Sequence, residues 1–154
     1  GKKLQAKLAL IKPDTYKYRM QFLGFVQDFI DAVYLVEDGV SAKAENKLVM
    51  IEFTGSDWCP PCKMMAKAVF TKEEFLKKAQ ESYVLVKLDM PNSNPELKAA
   101  NTKLMQQYKV SGVPTILLFD ADGKEFNRFT ATAHPKVDLF LKHLAKAKRR
   151  KDMI

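Results

Sequence analysis

Cysteine and histidine are both scarce in this chain of 154 residues. There are two of each, Cys59 and Cys62, His134 and His143. A structural zinc site needs four ligands, and no zinc pattern has the spacing of these four residues. A c-type haem needs a histidine directly after the second cysteine, where Lys63 stands. An iron–sulfur cluster needs more thiolates than two. No metal and no cofactor are therefore expected. Long apolar runs are also missing: "TILLF" is far too short to cross a bilayer, so stable membrane insertion is not expected. There is no internal repeat, no low-complexity tract, no RNP-like aromatic motif and no helix-turn-helix signal, and no nucleic-acid partner is expected.

What remains is a soluble globular composition, 47% apolar and 29% charged, of a length that suits one domain. The net charge is +8, part of it in the closing "KHLAKAKRRKDMI". A basic run can mark a nucleic-acid or anionic-membrane patch. The preferred reading is a solvated helix end, where Lys and Arg complement the macrodipole. The opening "GKKLQAK" is read as following a cleaved leader or tag.

Periodicity sets the expected order of elements. Residues 1–15 read as a basic arm. Phe22, Phe25, Val26, Phe29 and Ile30 have helical spacing within Tyr16–Ala32. "VYL" (33–35) reads as a short strand and "EDGVSAKAENK" as a short helix. "KLVMIEF" (47–53) has the length and apolarity of a buried parallel strand. A helix follows the cysteines, with Met64, Met65, Ala66, Val69 and Phe70 as its apolar face. Thr71 and Glu74 form a capping box for "KEEFLKKAQE". "YVLVKLD" (83–89) is a strand, "ELKAANTKLMQQY" a helix, and "PTILLFD" (114–120) a strand. A Gly123 turn leads into the antiparallel strand "EFNRFTA". A last amphipathic helix opens at Pro135. The fold class is α/β: strands joined through helices pair in parallel, the hairpin pairs antiparallel, and the sheet is mixed with helices on both faces.

The two cysteines, placed after a strand and before a helix, fit a redox dithiol. At a helix start, the unpaired N–H groups and the positive end of the dipole favour a thiolate at Cys59. Cys62, one turn deeper, would attack second and release the reduced substrate. Pro60 and Pro61 suit a first helical turn, whose N–H donors have no partner in the helix. They also limit how far the sulfurs can separate.

Over residues 44–148 the chain resembles the thioredoxin superfamily. "WCPPCK", containing Trp58, Cys59, Pro60, Pro61, Cys62 and Lys63, resembles its active site. "YKVSGVPT" resembles the loop ending in a cis-proline, here Pro114. "YVLVKLD" resembles the strand of its buried lysine, here Lys87. The "FTGSDWCxxC" form and the long N-terminal extension resemble exported bacterial members of the DsbH-like kind. The resemblance implies a thioredoxin fold over 44–154, with residues 1–43 an arm and helical extension packed on it. It implies a disulfide reductase with Val113, Pro114 and Thr115 at the substrate groove. The alternatives are a disulfide oxidase or a redox-silent peptide-binding module. Glu52 stands near the family's buried aspartate, but the intervening "TGSD" is one residue longer, so Glu52 is equally read as pointing outward. The implied partners are disulfide-containing proteins and an external electron donor, either thioredoxin reductase or a membrane thiol donor of the DsbD type. A monomer in the periplasm is expected, with the cytoplasm as the alternative compartment.

Overall fold

The computed structural model describes residues 46–154 and the backbone of two short strands, β1 (Leu8–Leu10) and β2 (Met20–Phe22). The remaining strands are β3 (Leu48–Thr54), β4 (Tyr83–Asp89), β5 (Thr115–Phe119) and β6 (Glu125–Thr130). The helices are α1 (Pro60–Met65), α2 (Glu73–Ser82), α3 (Pro95–Gln107) and α4 (Val137–Asp152). A π-helical turn, Ala66–Phe70, continues α1.

The six strands form one mixed sheet in the order β1-β2-β4-β3-β5-β6. β3 runs parallel to β4 and antiparallel to β5, which pairs antiparallel with β6. All seven residues of β3 are buried. A central strand covered on both faces needs such continuous apolarity. Alternation sends Val49, Ile51 and Phe53 to the face covered by α3, where Leu104 packs. It sends Leu48 and Met50 to the face covered by α1, α2 and α4. On that second face Phe70, Phe75 and Phe140 meet edge to face, with centroids 5.3–5.6 Å apart. Each such pair adds roughly 0.5–1.5 kcal/mol beyond its burial. The β5–β6 hairpin turns where expected, with Gly123 at φ 87° and the Asp120 carboxylate accepting the backbone N–H groups of Asp122 and Lys124 at 2.9 Å.

Several expectations need correction. Met20–Phe22 falls inside the expected helix 16–32 but is a strand, hydrogen-bonded in parallel to β4 and antiparallel to β1. A free sheet edge offers unpaired N–H and C=O groups that outweigh helical spacing. The rest of that helix, "VYL" and most of the 37–47 helix lie outside the described residues. Within the described part of that last segment, Asn46 sits in a turn at φ 54°. The Thr71–Glu74 capping box does not form. The N-cap of α2 is Lys72, and the Thr71 hydroxyl donates backwards to the Ala66 carbonyl at 2.8 Å. The same carbonyl accepts the Thr71 N–H at 3.0 Å, the i→i+5 bond of the π turn. Met65, Val69 and Phe70 are buried as expected, while Met64, about 100° from Met65 around the helix, is 43% exposed. α4 begins at Val137, two residues after Pro135, with Lys136 as its N-cap.

Candidate active site

Cys59 is the N-cap of α1, and Pro60 and Pro61 occupy the first two helical positions. The two cysteines are joined as a disulfide with Cα atoms 5.2 Å apart. Cys59 Sγ accepts the Cys62 backbone N–H at 3.2 Å, a helix-start donor aimed at the outer sulfur. Cys62 Sγ accepts the Gly55 N–H at 3.5 Å from the inner side. Cys59 is 4% exposed and Cys62 1%. Lys63, Pro60 and Pro61 are exposed around them.

The loop before β5 closes the site. The Val113–Pro114 peptide bond is cis, and the Val113 carbonyl oxygen lies 4.0 Å from Cys59 Sγ. Pro114 is buried, and its carbonyl accepts the Ala131 N–H at 3.1 Å. The Thr115 hydroxyl donates to the Gly112 carbonyl at 2.5 Å. On the approach to this loop Arg128 donates to the carbonyls of Tyr108 and Lys109 at 3.0 and 3.1 Å. Arg128 is in turn held by a two-pronged ion pair with Glu125.

Glu52 points inward. It is 2% exposed and faces Lys87 across β3–β4 in register, with Ile116 on its other side. By alternation with Met50 it lies on the sheet face that α1 covers, and Lys87 beside it is half-buried.

A clamp that sequence reasoning missed fixes the segment before Cys59. Three consecutive residues hold the last residue of β4 and the stretch that follows it. The Ser56 N–H donates to the Asp89 carboxylate at 2.9 Å, and its hydroxyl donates to the other oxygen of the same carboxylate. The Asp57 carboxylate accepts the Asn92 and Ser93 N–H groups, each at 2.9 Å. Those two bonds hold Asp57 below the usual carboxylate range. The Trp58 indole donates to the Met90 carbonyl at 2.7 Å, with Lys98 Nζ 5.5 Å above its ring. Gly55 is required beneath the indole, because a methyl there would stand 2.7 Å from Trp58 Nε1 and overlap two ring carbons. Glycine and small polar residues near a CxxC carry no signal of these partners, which lie more than thirty residues away. Among the described residues no group of three or more His, Cys, Asp or Glu could hold a metal ion.

The arrangement can exchange one pair of electrons, at a nearly buried cysteine pair beside an exposed aromatic and a cis-proline loop. The sequence profile of the thioredoxin-like domain family matches residues 35–148. The disulfide bond reductase DsbH of Chlamydia pneumoniae is 36% identical over 90 residues, covering 56% of this chain and 54% of that protein. The thiol:disulfide interchange protein DsbD of Actinobacillus pleuropneumoniae is 37% identical over 101 residues, 66% of this chain but 16% of that protein. The chain thus spans about half of one relative and a small part of the other. A solved DsbH oxidoreductase structure superposes with a TM-score of 0.52 at 34% identity, over 66% of this chain and 76% of its own. A family match from residue 35 to residue 148 takes in most of the sequence, and the chain belongs to the thioredoxin-like domain family.

Proposed function

We propose that this protein is a thiol–disulfide oxidoreductase that reduces disulfides in other proteins. The observation that carries the proposal is the Cys59–Cys62 pair at the start of α1, facing the Val113–Pro114 loop. In the reduced protein the Cys59 thiolate attacks one sulfur of a substrate disulfide. That S–S bond breaks, the leaving sulfur departs as a thiolate and takes a proton, and a mixed disulfide forms. Cys62 loses its proton and attacks Cys59 Sγ, the second substrate sulfur leaves, and the Cys59–Cys62 disulfide closes. Two electrons have passed to the substrate, and an external dithiol donor must return them. A donor of the DsbD type fits, as does thioredoxin reductase.

Cys59 is the attacking residue because its sulfur sits at the open end of α1, where the Cys62 N–H stabilises negative charge. Val113 offers backbone beside that sulfur, so an extended substrate segment would pair there as an added strand. Glu52, buried on the α1 side of the sheet, is proposed as the base that takes the Cys62 proton. Glu52→Gln should then slow the second thiol step and shift its pH profile while sparing the first. The reducing direction is favoured by Asp57, an ionised carboxylate two residues before Cys59 that opposes the thiolate. The relatives named for disulfide reduction and interchange point to the periplasm as the compartment.

The test is dithiothreitol-driven insulin reduction with the cysteine variants. Wild type should accelerate it, and both Cys→Ser variants should lose that activity. Cys62→Ser should accumulate mixed disulfides with substrate, whereas Cys59→Ser should accumulate few. Equal trapping by both would reverse or dissolve the assignment.

A further inference from the structure

The positive charge is lopsided. Residues 136–154 hold seven Lys or Arg against two acidic residues, so they carry +5 of the net +8. Residues 83–135 hold six against five. α4 turns Phe140, Leu144 and Ala147 into the core. Its outer side presents Lys142, Lys146, Arg149 and Arg150, all exposed, along a helix about 24 Å long. Apolar side chains flank these cations at both ends: Leu139 is 42% exposed, and Met153 and Ile154 are more exposed still.

Beside this stripe lies a groove of about 490 Å³ between α2 and α4. Its lining includes Lys78, Lys148 and Arg149 above a buried floor of Ala79, Tyr83 and Leu144. Lys78 also pairs with Glu74 at 3.6 Å. The groove's one carboxylate, Asp152, is bridged by Lys151 at 2.5 Å. A cationic rim over an apolar floor is complementary to a phosphate that carries hydrocarbon. Lys148 and Lys151 also line a recess at the start of β3, where Lys47 and the carboxylates of Glu81, Asp120, Asp122 and Asp152 make the lining mixed in charge and end the basic surface. Cys59 follows the opposite end of β3, a seven-residue strand roughly 23 Å long.

We propose that the outer face of α4 and its groove with α2 form an adsorption surface for anionic phospholipid membranes. The domain would lie on the headgroups along the length of α4. Phospholipid is favoured over nucleic acid because exposed Leu139, Met153 and the apolar groove floor have no counterpart in a phosphate–sugar backbone, whereas the headgroup boundary accepts both cations and apolar side chains. Each basic residue at such a surface strengthens binding about five-fold.

The experiment is co-sedimentation of the full chain with vesicles of phosphatidylcholine alone and of phosphatidylcholine mixed with phosphatidylglycerol. Binding is expected to the mixed vesicles only, and rising salt should abolish it. The triple variant K146Q/R149Q/R150Q should bind about a hundred-fold more weakly, by the same five-fold per residue. The charge-matched control K103Q/K109Q/K124Q should bind like wild type. Insulin reduction in solution should be unchanged in both, which also reports that they fold. If the first triple variant does not fold, the salt series on the unaltered chain and the L139S variant, expected to bind more weakly, read the same surface. Equal affinity for both vesicle types, equal loss in the control, or capture of duplex DNA without vesicle binding would overturn the proposal. None of these outcomes depends on the dithiol reading.

Discussion

Replacing Gly55 by alanine isolates the clamp that positions the active-site loop. The added methyl would overlap the Trp58 indole, so the ring must swing away. That breaks the 2.7 Å bond from Trp58 Nε1 to the Met90 carbonyl and lifts the ring from Lys98. A hydrogen bond contributes about 0.5–1.5 kcal/mol net. An exposed cation–π contact contributes about 0.5–1 kcal/mol. Gly55→Ala should therefore cost roughly 1–2.5 kcal/mol, or about 2–4 °C in Tm per kcal/mol for a domain of this size. Trp58 is the only tryptophan, so its fluorescence reports this loop alone, and emission should shift to the red as the ring meets water. The control is the Trp58→Ala background. With no ring to strike, Gly55→Ala should be neutral, or should stabilise by up to about 1 kcal/mol through the unfolded chain. The coupling between the two positions should thus exceed about 1 kcal/mol. An unchanged emission spectrum in Gly55→Ala, or the same cost with and without Trp58, would refute the reasoning.

Other perturbations probe separate parts of the account. Asp89→Ala leaves the Ser56 N–H without its acceptor and should cost about 1–3 kcal/mol in urea melts, again with a tryptophan shift. Phe140→Ala removes a fully buried ring that touches Phe70, Phe75 and Phe129, and should cost about 3–5 kcal/mol by the same melts. The pKa of His143 is held below its ordinary 6.5 by burial first, then by His134, Lys146 and Arg150. The unfolded chain therefore binds that proton first. Stability should fall as pH drops through about 6.5, levelling once the depressed folded value is passed, and His143→Gln should flatten that part of a Tm-against-pH curve.

Local chemistry made much of the molecule legible. The run 83–89 is bounded by a helix and a turn-rich loop, and it became β4 with the bounds expected of it. The cysteines announced a helix start because two prolines fit only where N–H donors have no use. The cis bond at Pro114 was expected from the resemblance of "GVPT" to a known loop, since a lone X–Pro pair does not tell cis from trans. Glu52 was undecided because strand alternation gives a face only once the strand's neighbours are known. At 2% exposure it lies inward, on the α1 side of the sheet, while its role as a base is a proposal. Tertiary competition hid the rest. The hydroxyl of Thr71 serves the π turn instead of α2. Residues 20–22 follow the edge of β4 instead of their helical spacing. The clamp from Ser56, Asp57 and Trp58 depends on partners whose proximity exists only in the folded chain.

The proposed function requires the Cys59–Cys62 dithiol to donate electrons to protein disulfides. Its most direct test is the equilibrium reduction potential of that pair, read from Trp58 fluorescence across a dithiothreitol or glutathione series. The pair should show a value nearer to thioredoxin's roughly −270 mV than to DsbA's roughly −120 mV. A potential close to the DsbA end, with efficient oxidation of a reduced unfolded protein, would contradict it and make the protein a disulfide oxidase.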